Sequence, residues 1–187
     1  MTAGGAPRLD LTLAPDDDAI QPFMIEDMRL RWCELDRRIA ELDKELTEWV
    51  RNEEAARRLM TIPGIGVLNA TALVAAIGHG ESFARGRDLA AWLGLVPRQL
   101  TTGGRPRLVG ISKRGNRYLR KLLIHGARAA LPSLLGSSTP LGAWLRGLMA
   151  RRHKNATVVA LANKLARMAW AVLRHNETFR INVSVVA

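Results

Sequence analysis

Cysteine, aromatic residues and long apolar runs are scarce in this sequence. Its 187 residues include one cysteine, Cys33, so an internal disulfide is excluded and we expect a reducing, cytoplasmic location. No uninterrupted run approaches the roughly 18 apolar residues of a membrane span, and the N-terminal residues lack the apolar stretch of a signal peptide. We therefore predict no membrane partner. Hydrophobic residues still make up 48% of the chain, which is enough to bury a core.

Acidic residues are missing from much of the chain. None lies between Asp88 and Glu177, and residues 61–187 hold three acidic residues against 19 lysines and arginines. Residues 1–60 hold 14 acidic and nine basic residues, so the formal charge is −5 there and +16 in the remainder. Solvated surfaces usually mix both signs. This asymmetry predicts a nucleic-acid partner, whereas an anionic membrane fits less well because no basic amphipathic anchor stands alone.

Groups of metal ligands are also missing from the sequence. The four histidines are scattered and have no cysteine or carboxylate at a paired spacing, so zinc is not expected. A two-metal nuclease needs several converging carboxylates, and the basic part of the chain has too few. We predict no metal site and no cofactor in this chain.

The pattern along the chain predicts a mainly α protein in three parts. Residues 1–22 contain prolines, glycines and three consecutive aspartates, which predict an irregular tail. Residues 23–58 predict a long coiled-coil helix, and residues 59–187 a compact helical domain. Within that domain we predict a short helix near residues 87–93 and a last helix near residues 156–174. No period-two strand is predicted, "GSSTP" at residues 136–140 is interpreted as a loop, and "FRINVSVVA" as a terminal tail.

The predicted coiled-coil helix has apolar residues at alternating spacings of three and four. Two acid–base pairs four residues apart, Asp27–Arg31 and Glu34–Arg38, favour this helix. We interpret the apolar seam as a surface for homo-oligomerisation; the alternative is that it packs on the chain's own globular domain. The seam consists of Ile25, Met28, Trp32, Leu35, Ile39, Leu42, Leu46 and Trp49.

A helix–turn–helix layout is predicted at "LMTIPGIGVLNATALVAAIG", residues 59–78. Pro63 ends one helix, and a second helix follows over residues 67–77. This layout resembles a helix-hairpin-helix motif, in which Gly64 and Gly66 would expose backbone N–H groups to a phosphate. The alternative is a turn that serves only to join two helices.

The segment at residues 94–131 is predicted to be a basic loop followed by a helix from Arg117. Thr101 and Thr102 precede two glycines and are surrounded by arginines, which could stabilise an alkoxide and hold a scissile phosphate. The alternative is that both threonines are turn residues. The predicted nucleic-acid contacts here are Arg98, Gly103, Gly104, Arg105, Arg107, Lys113, Arg114, Arg117, Lys121 and Arg128.

Three stretches together resemble the C-terminal domain of the IS110 (IS116) family of bacterial insertion-sequence transposases. They are "LMTIPGIGVLNATALVAAIG", "FARGRDLAAWLGLVPRQLTTGGRPRLVGISKRGNRYLRKLLIHGARA" and "NKLARMAWAVLR". The resemblance spans roughly residues 25–175 and is most specific over residues 94–128. It implies an oligomeric DNA transposase or recombinase, guided in at least part of the family by a structured RNA.

The resemblance also implies a division of labour between domains. Family members join an N-terminal RuvC-like nuclease domain, with Asp/Glu ligands for a divalent metal such as Mg²⁺, to a coiled coil and this C-terminal domain. The C-terminal domain contributes a nucleophilic serine, which corresponds here to Thr102, with Thr101 as the neighbouring alternative. The nuclease domain is expected to be absent from this chain.

These two departures leave more than one function open. The chain is a transposase or a part of one, or else a non-catalytic nucleic-acid-binding remnant or an oligomerisation partner of a full-length transposase. A basic, ribosome-associated helical protein is a third alternative.

Overall fold

The computed structural model describes the backbone of residues 17–180 and the side chains of residues 22–180. The fold is mainly α, as predicted, and the chain divides into two units between Lys44 and Glu45. In chain order the elements are α1 (Asp17–Asn52), α2 (Glu54–Leu59), α3 (Val67–Ile77), α4 (Gly86–Trp92), β1 (Pro97–Thr102), β2 (Arg105–Ile111), α5 (Arg117–Leu135), α6 (Pro140–Met149) and α7 (Lys154–His175).

The long N-terminal helix is present, but both of its predicted ends were wrong. Residues 17–22, predicted to belong to the irregular tail, are already helical, and residues 1–16 lie outside the described residues. Pro22 lies in the second turn, where its missing N–H removes one helical hydrogen bond and leaves the helix intact. At the other end Glu53 is extended, so α2 is a separate helix. The break allows Ala55 and Leu59 to enter the core.

The apolar seam of α1 is exposed along most of its length. Trp32 is 69% exposed, Leu35 60% and Leu42 54%, and these side chains lie in the first of the two units. Side chains of this size are rarely left in water along a whole helix face. The structure therefore has the surface that self-association would need, and the coiled coil stays a prediction.

Ion pairs along α1 confirm one of the two predicted acid–base pairs. Arg31 lies 3.0 Å from the Asp27 carboxylate. Glu34 pairs with Arg37, at 2.7 Å, and not with Arg38 as predicted. Arg37 lies between two carboxylates, since Glu41 follows it by one turn. The hydrogen bond from Arg37 lowers the pKa of Glu34.

The core of the second unit is built around α7. This helix packs against α5, α4, α2 and α6. Leu161 and Leu165 of α7 are fully buried, as are Leu119 and Leu123 of α5. The last helix and the helix from Arg117 are thereby confirmed close to their predicted bounds. Side chains of these two helices also hold the segment that enters the hairpin described below.

The length and composition of α7 would also suffice to cross a membrane. The sequence shows no uninterrupted apolar run of that length because Lys164 and Arg167 interrupt it. Half of the apolar stretch is buried within the protein, as is typical of a core helix. We therefore attribute the apolar composition of α7 to its burial in the core of the second unit.

The helix α6 was missed, because the loop predicted at residues 136–140 ends in a helix start. The Thr139 side chain accepts a hydrogen bond from the Gly142 N–H at 3.1 Å and so caps the helix. Pro140 follows at the first helical position, where its missing N–H has no helical partner to lose. The predicted terminal tail continues into residues 181–187, which lie outside the described residues.

Candidate nucleic-acid interface

The segment predicted to be a basic loop is a β-hairpin. β1 and β2 pair antiparallel, and Thr102 lies opposite Arg105, so the connection is a two-residue turn. Its residues Gly103 and Gly104 have φ values of +57° and +75°. Positive φ at both central positions is the geometry of a type I′ turn, whose twist matches that of the paired strands. The glycines, predicted to allow close phosphate approach, thus also form the turn that creates the hairpin.

The hairpin is exposed on both sides. Every residue of β1 is exposed, and β2 is exposed apart from partial burial at Val109 and Ile111, near its end. Each strand pairs with the other, and Ile111 at the end of β2 packs against the hydrophobic core. The hairpin is therefore an arm held at its base, with both faces available to a ligand.

Backbone hydrogen bonds extend the hairpin into the core. The Ser112 N–H donates to the Val96 carbonyl at 2.8 Å, and the Lys113 N–H donates to the Gly94 carbonyl at 3.1 Å. Gly94 has a φ of +69°, and a Cβ there would overlap the Arg114 backbone. Only glycine allows the segments that enter and leave the hairpin to pass this close to each other at its base.

Two side chains from the core helices hold the segment that enters the hairpin. The Arg120 guanidinium of α5 donates to the Leu93 carbonyl at 2.9 Å. The Asn163 amide of α7 donates to the Leu95 carbonyl at 3.1 Å. Sequence reasoning missed both residues, because no local spacing shows that a side chain will bind a carbonyl 27 or 68 residues away.

Strand pairing divides the predicted site residues between the two faces of the hairpin. Successive side chains on a strand point to opposite faces, and directly opposed residues share a face. Thr102 is paired with Arg105 and Leu100 with Arg107. The register shifts between Pro97 and Gln99, so the pairing does not assign Arg98, which lies between them, to either face. We call the surface formed by the paired residues the arginine face; it comprises Leu100, Thr102, Arg105 and Arg107.

Thr101 lies on the other face of the hairpin. It is opposite Pro106, and its hydroxyl accepts a hydrogen bond from the Gln99 amide at 3.2 Å. Leu108 also lies on this face, opposite Gln99. The face carries no arginine. Of the two adjacent threonines, only Thr102 is thus brought together with the cations that the chemistry requires.

The remaining predicted cations continue from the base of the hairpin onto α5. Lys113 and Arg114 lie in the connection, and both are exposed. Arg117, Lys121 and Arg128 are exposed along one face of α5, opposite the buried leucines. Asn116 caps the start of this helix by accepting a hydrogen bond from the Leu119 N–H at 3.0 Å. Every predicted cation therefore lies on the surface.

The α2–α3 turn was predicted to bind phosphate through Gly64 and Gly66. The structure gives Gly64 a packing role, because a Cβ there would lie 2.7 Å from the Gly126 carbonyl of α5. Gly66 is the N-cap of α3 and has open space beside it. The helix–turn–helix order is confirmed, and α3 has its predicted bounds. Phosphate binding at this turn stays a prediction.

Ion pairs are confined to the acidic part of the described chain. Those found lie between Glu26 and Arg58, and none involves a cation of the hairpin or of α5. Within residues 22–180, no group of three or more His, Cys, Asp or Glu side chains could hold a metal ion. We assign no metal-dependent step to these described residues. The interface is cationic and has no neutralising partner within the described residues.

The region that contains this interface matches the model of a known protein family. Residues 56–136, which run from α2 through the hairpin to the end of α5, match the model of the transposase IS116/IS110/IS902 family. The chain is 47% identical over 146 residues to a probable family 20 transposase of Pseudomonas aeruginosa, covering 78% of this chain and 43% of that protein.

Two further relatives match over nearly the whole chain. The transposase for insertion sequence element IS1111A of Coxiella burnetii is 41% identical over 185 residues, covering 95% of this chain and 51% of that protein. The transposase for insertion sequence element IS1328 of Yersinia enterocolitica is 39% identical over 172 residues, covering 90% and 52%. The chain thus spans about half the length of these relatives.

Proposed function

Because the chain belongs to the transposase IS116/IS110/IS902 family, we propose that it binds DNA through the arginine face of its hairpin and takes part in strand cleavage and transfer. The observation that carries this proposal is the grouping of Arg105 and Arg107 with Thr102 on one face of an exposed arm, with Arg98 further along β1. Neighbouring guanidinium groups without a carboxylate partner repel one another until an anion lies among them. A phosphate backbone supplies that anion in a repeating form.

The shape of the interface suits recognition of the backbone. Guanidinium groups bind phosphate oxygens in pairs, and a two-stranded arm can follow a groove. We propose largely sequence-independent binding, because the formal charge of +16 over residues 61–187 attracts the phosphate backbone of any sequence. A structured guide RNA, which the family resemblance implies, presents the same phosphate chemistry and is proposed as a second partner.

Thr102 is the proposed nucleophile. Its hydroxyl oxygen attacks the phosphorus of a DNA phosphodiester, an O–P bond forms, and the bond to the leaving deoxyribose oxygen breaks. The hydroxyl proton passes to solvent, and the leaving oxygen takes up a proton. Arg105 and Arg107 share the face of Thr102, so they are placed to stabilise the charge that develops on the non-bridging oxygens.

The adjacent threonines provide a matched test of this role. The chain would be mixed with a nicked DNA substrate and a RuvC-like nuclease domain of the family, and protein–DNA adducts would be resolved on a denaturing gel. We expect adducts from the unaltered chain and from Thr101→Ala, at least as many from Thr102→Ser, and none from Thr102→Ala. DNA affinity should change by less than about 0.5 kcal/mol in each variant, because one hydroxyl adds little to many ionic contacts.

The alternative is a non-catalytic remnant, or an oligomerisation partner of a full-length transposase. It is favoured by the exposed seam of α1 and by the β-branched threonine at the position of the family serine, which hinders attack. Preserved DNA binding without an adduct from either Thr102 or Thr102→Ser would establish this alternative and overturn the nucleophilic role.

A further inference from the structure

We propose a second phosphate-binding site on the opposite side of α7 from the core, formed by Arg85, Arg87, Lys164 and Arg167. These four side chains line one cavity of about 430 Å³. The cavity volume lies within the range of roughly 300–1,000 Å³ typical of ligand pockets. This inference rests on the proposed nucleic-acid binding and extends it to a surface that no sequence motif indicated.

Two helices that are far apart in sequence form this cavity. Arg85 and Arg87 flank the start of α4, and Lys164 and Arg167 lie one turn apart on α7. Gly86 brings the two helices together, because a Cβ there would lie 3.0 Å from the Arg167 carbonyl. A larger residue would separate the two pairs of cations. The close approach of α4 to α7 therefore gathers four positive charges around one space.

No carboxylate lines the cavity to neutralise these cations. Its remaining lining comes from Gly86, Met168, Trp170 and Ala171. Asp88 lies one residue beyond Arg87 in sequence but is not part of the lining. Like charges around a shared space are unfavourable in the empty site and become favourable when an anion enters. The chemistry of the lining therefore selects a phosphate or a similar anion.

A neighbouring groove connects this cavity to the hairpin. Lys164 and Arg167 also line a groove of about 710 Å³, together with Lys113 at the base of the hairpin. Most of the remaining lining is apolar and includes Leu95, Ile111, Trp144 and Val159. The Lys164 ammonium lies 4.9 Å from the centre of the Trp144 ring, which holds it at the junction of the two spaces. A backbone held by the arginine face can thus continue past Lys113 and Lys164 into the cavity. Because the cations Lys164 and Arg167 line both spaces, we assign a nucleic-acid backbone as the occupant.

Lysine footprinting tests the site directly. The full chain would be acetylated with and without a random-sequence DNA duplex, and each lysine quantified by mass spectrometry. We expect the duplex to protect Lys164, whereas Lys44 on α1 should react equally in both samples. Inorganic phosphate at the same phosphate concentration should protect Lys164 much less, because a single phosphate lacks the contacts along the groove.

Paired charge-removing variants supply the second readout. The double variant Arg87→Gln/Arg167→Gln should weaken duplex binding about tenfold and reduce the slope of log affinity against log salt by about 2. Arg38→Gln, an exposed arginine on α1, serves as the control and should leave the slope unchanged. Unfolding curves of both variants should match that of the unaltered chain, since these arginines are exposed.

The outcomes separate this site from the proposed function. Duplex binding that responds to the hairpin arginines, with Lys164 unprotected and the double variant equal to the control, would overturn the second site alone. Equal protection by duplex and by inorganic phosphate would overturn the assignment of a nucleic-acid backbone. An unaltered chain that bound no duplex would overturn both proposals.

Discussion

Thr101 and Thr102 are adjacent and chemically identical, yet the fold gives them different surroundings. Thr102 shares a face with Arg105 and Arg107, while Thr101 shares its face with Gln99 and accepts its hydrogen bond. Sequence alone could not choose between them, because the choice depends on strand alternation in a segment predicted to be a loop. The family resemblance chose Thr102, and the strand register now supplies a physical reason for the same choice.

Glycines at this scale serve two separate purposes. Gly103 and Gly104 form the turn at the tip and have open space around them. Gly94 and Gly115 allow the backbone to cross at the base, where a Cβ would overlap the Arg114 backbone or the Trp92 carbonyl. Composition indicates that glycines bend this segment, but only the structure shows which of them are required by packing.

A pair of glycine substitutions should separate these purposes. Gly94→Ala should lower the free energy of unfolding by roughly 3 kcal/mol, since it adds both left-handed strain and a backbone overlap. Gly103→Ala has a similar positive φ but no overlap, and should lower it by roughly 1 kcal/mol or less. Denaturant titration of both variants measures the difference. Equal effects would mean that the crossing at the hairpin base is looser than described.

At the scale of elements, the helices were predictable and the hairpin was not. The helices α3, α4, α5 and α7 follow from their apolar periodicity. The predicted bounds of α3, α4 and α7 are correct within one or two residues, and α5 begins at Arg117 as predicted but continues to Leu135, four residues past the predicted segment. The hairpin lacks that signal because both of its faces are exposed, so its strands show no apolar–polar alternation. Two consecutive glycines directly after two β-branched threonines were the available indication of a type I′ turn. The loop prediction assigned these glycines to close approach of a phosphate and did not predict a turn.

The cavity between α4 and α7 could not be predicted from the sequence, for a different reason. Its cations come from positions about 80 residues apart, and nothing in either segment indicates that they meet. The absence of acidic residues predicted that cations would be unpaired, but not where they would gather. Tertiary packing decides that question, and a single sequence does not reveal it.

The exposed seam of α1 predicts self-association. Leu35→Asp/Leu42→Asp should convert an oligomer into a monomer, because burying two charged side chains in the interface costs several kcal/mol. Leu30→Asp is the matched control, since Leu30 is 62% exposed and lies off the seam. Sedimentation velocity distinguishes the species. If the unaltered chain sediments as a monomer, the prediction is contradicted, and the seam must pack against something other than a second copy of the chain.

At the scale of the whole molecule, the charge is unevenly distributed: residues 1–60 have a formal charge of −5 and residues 61–187 one of +16. Residues 1–60, which are acidic overall, contain the ion pairs found in the structure. The basic residues 61–187 have no such partners within the described part, and their cations are on the surface. One part can therefore associate through an apolar helix face while the other binds a polyanion.

The central claim is that the arginine face of the hairpin binds the nucleic-acid backbone. It is tested most directly by the affinity for a labelled DNA duplex, measured by fluorescence anisotropy across a series of salt concentrations. The logarithm of the affinity should fall linearly with the logarithm of the salt concentration. In the triple variant Arg98→Gln/Arg105→Gln/Arg107→Gln the slope should be shallower by about 3.

A control with the same net charge makes this measurement decisive. Arg38→Gln/Arg51→Gln/Arg57→Gln also removes three exposed arginines, but from α1 and α2. We predict that this control keeps the slope of the unaltered chain while the hairpin variant loses about three contacts. Equal slopes for the two triple variants would show that net charge alone drives binding, and would contradict the assignment of the hairpin as the interface.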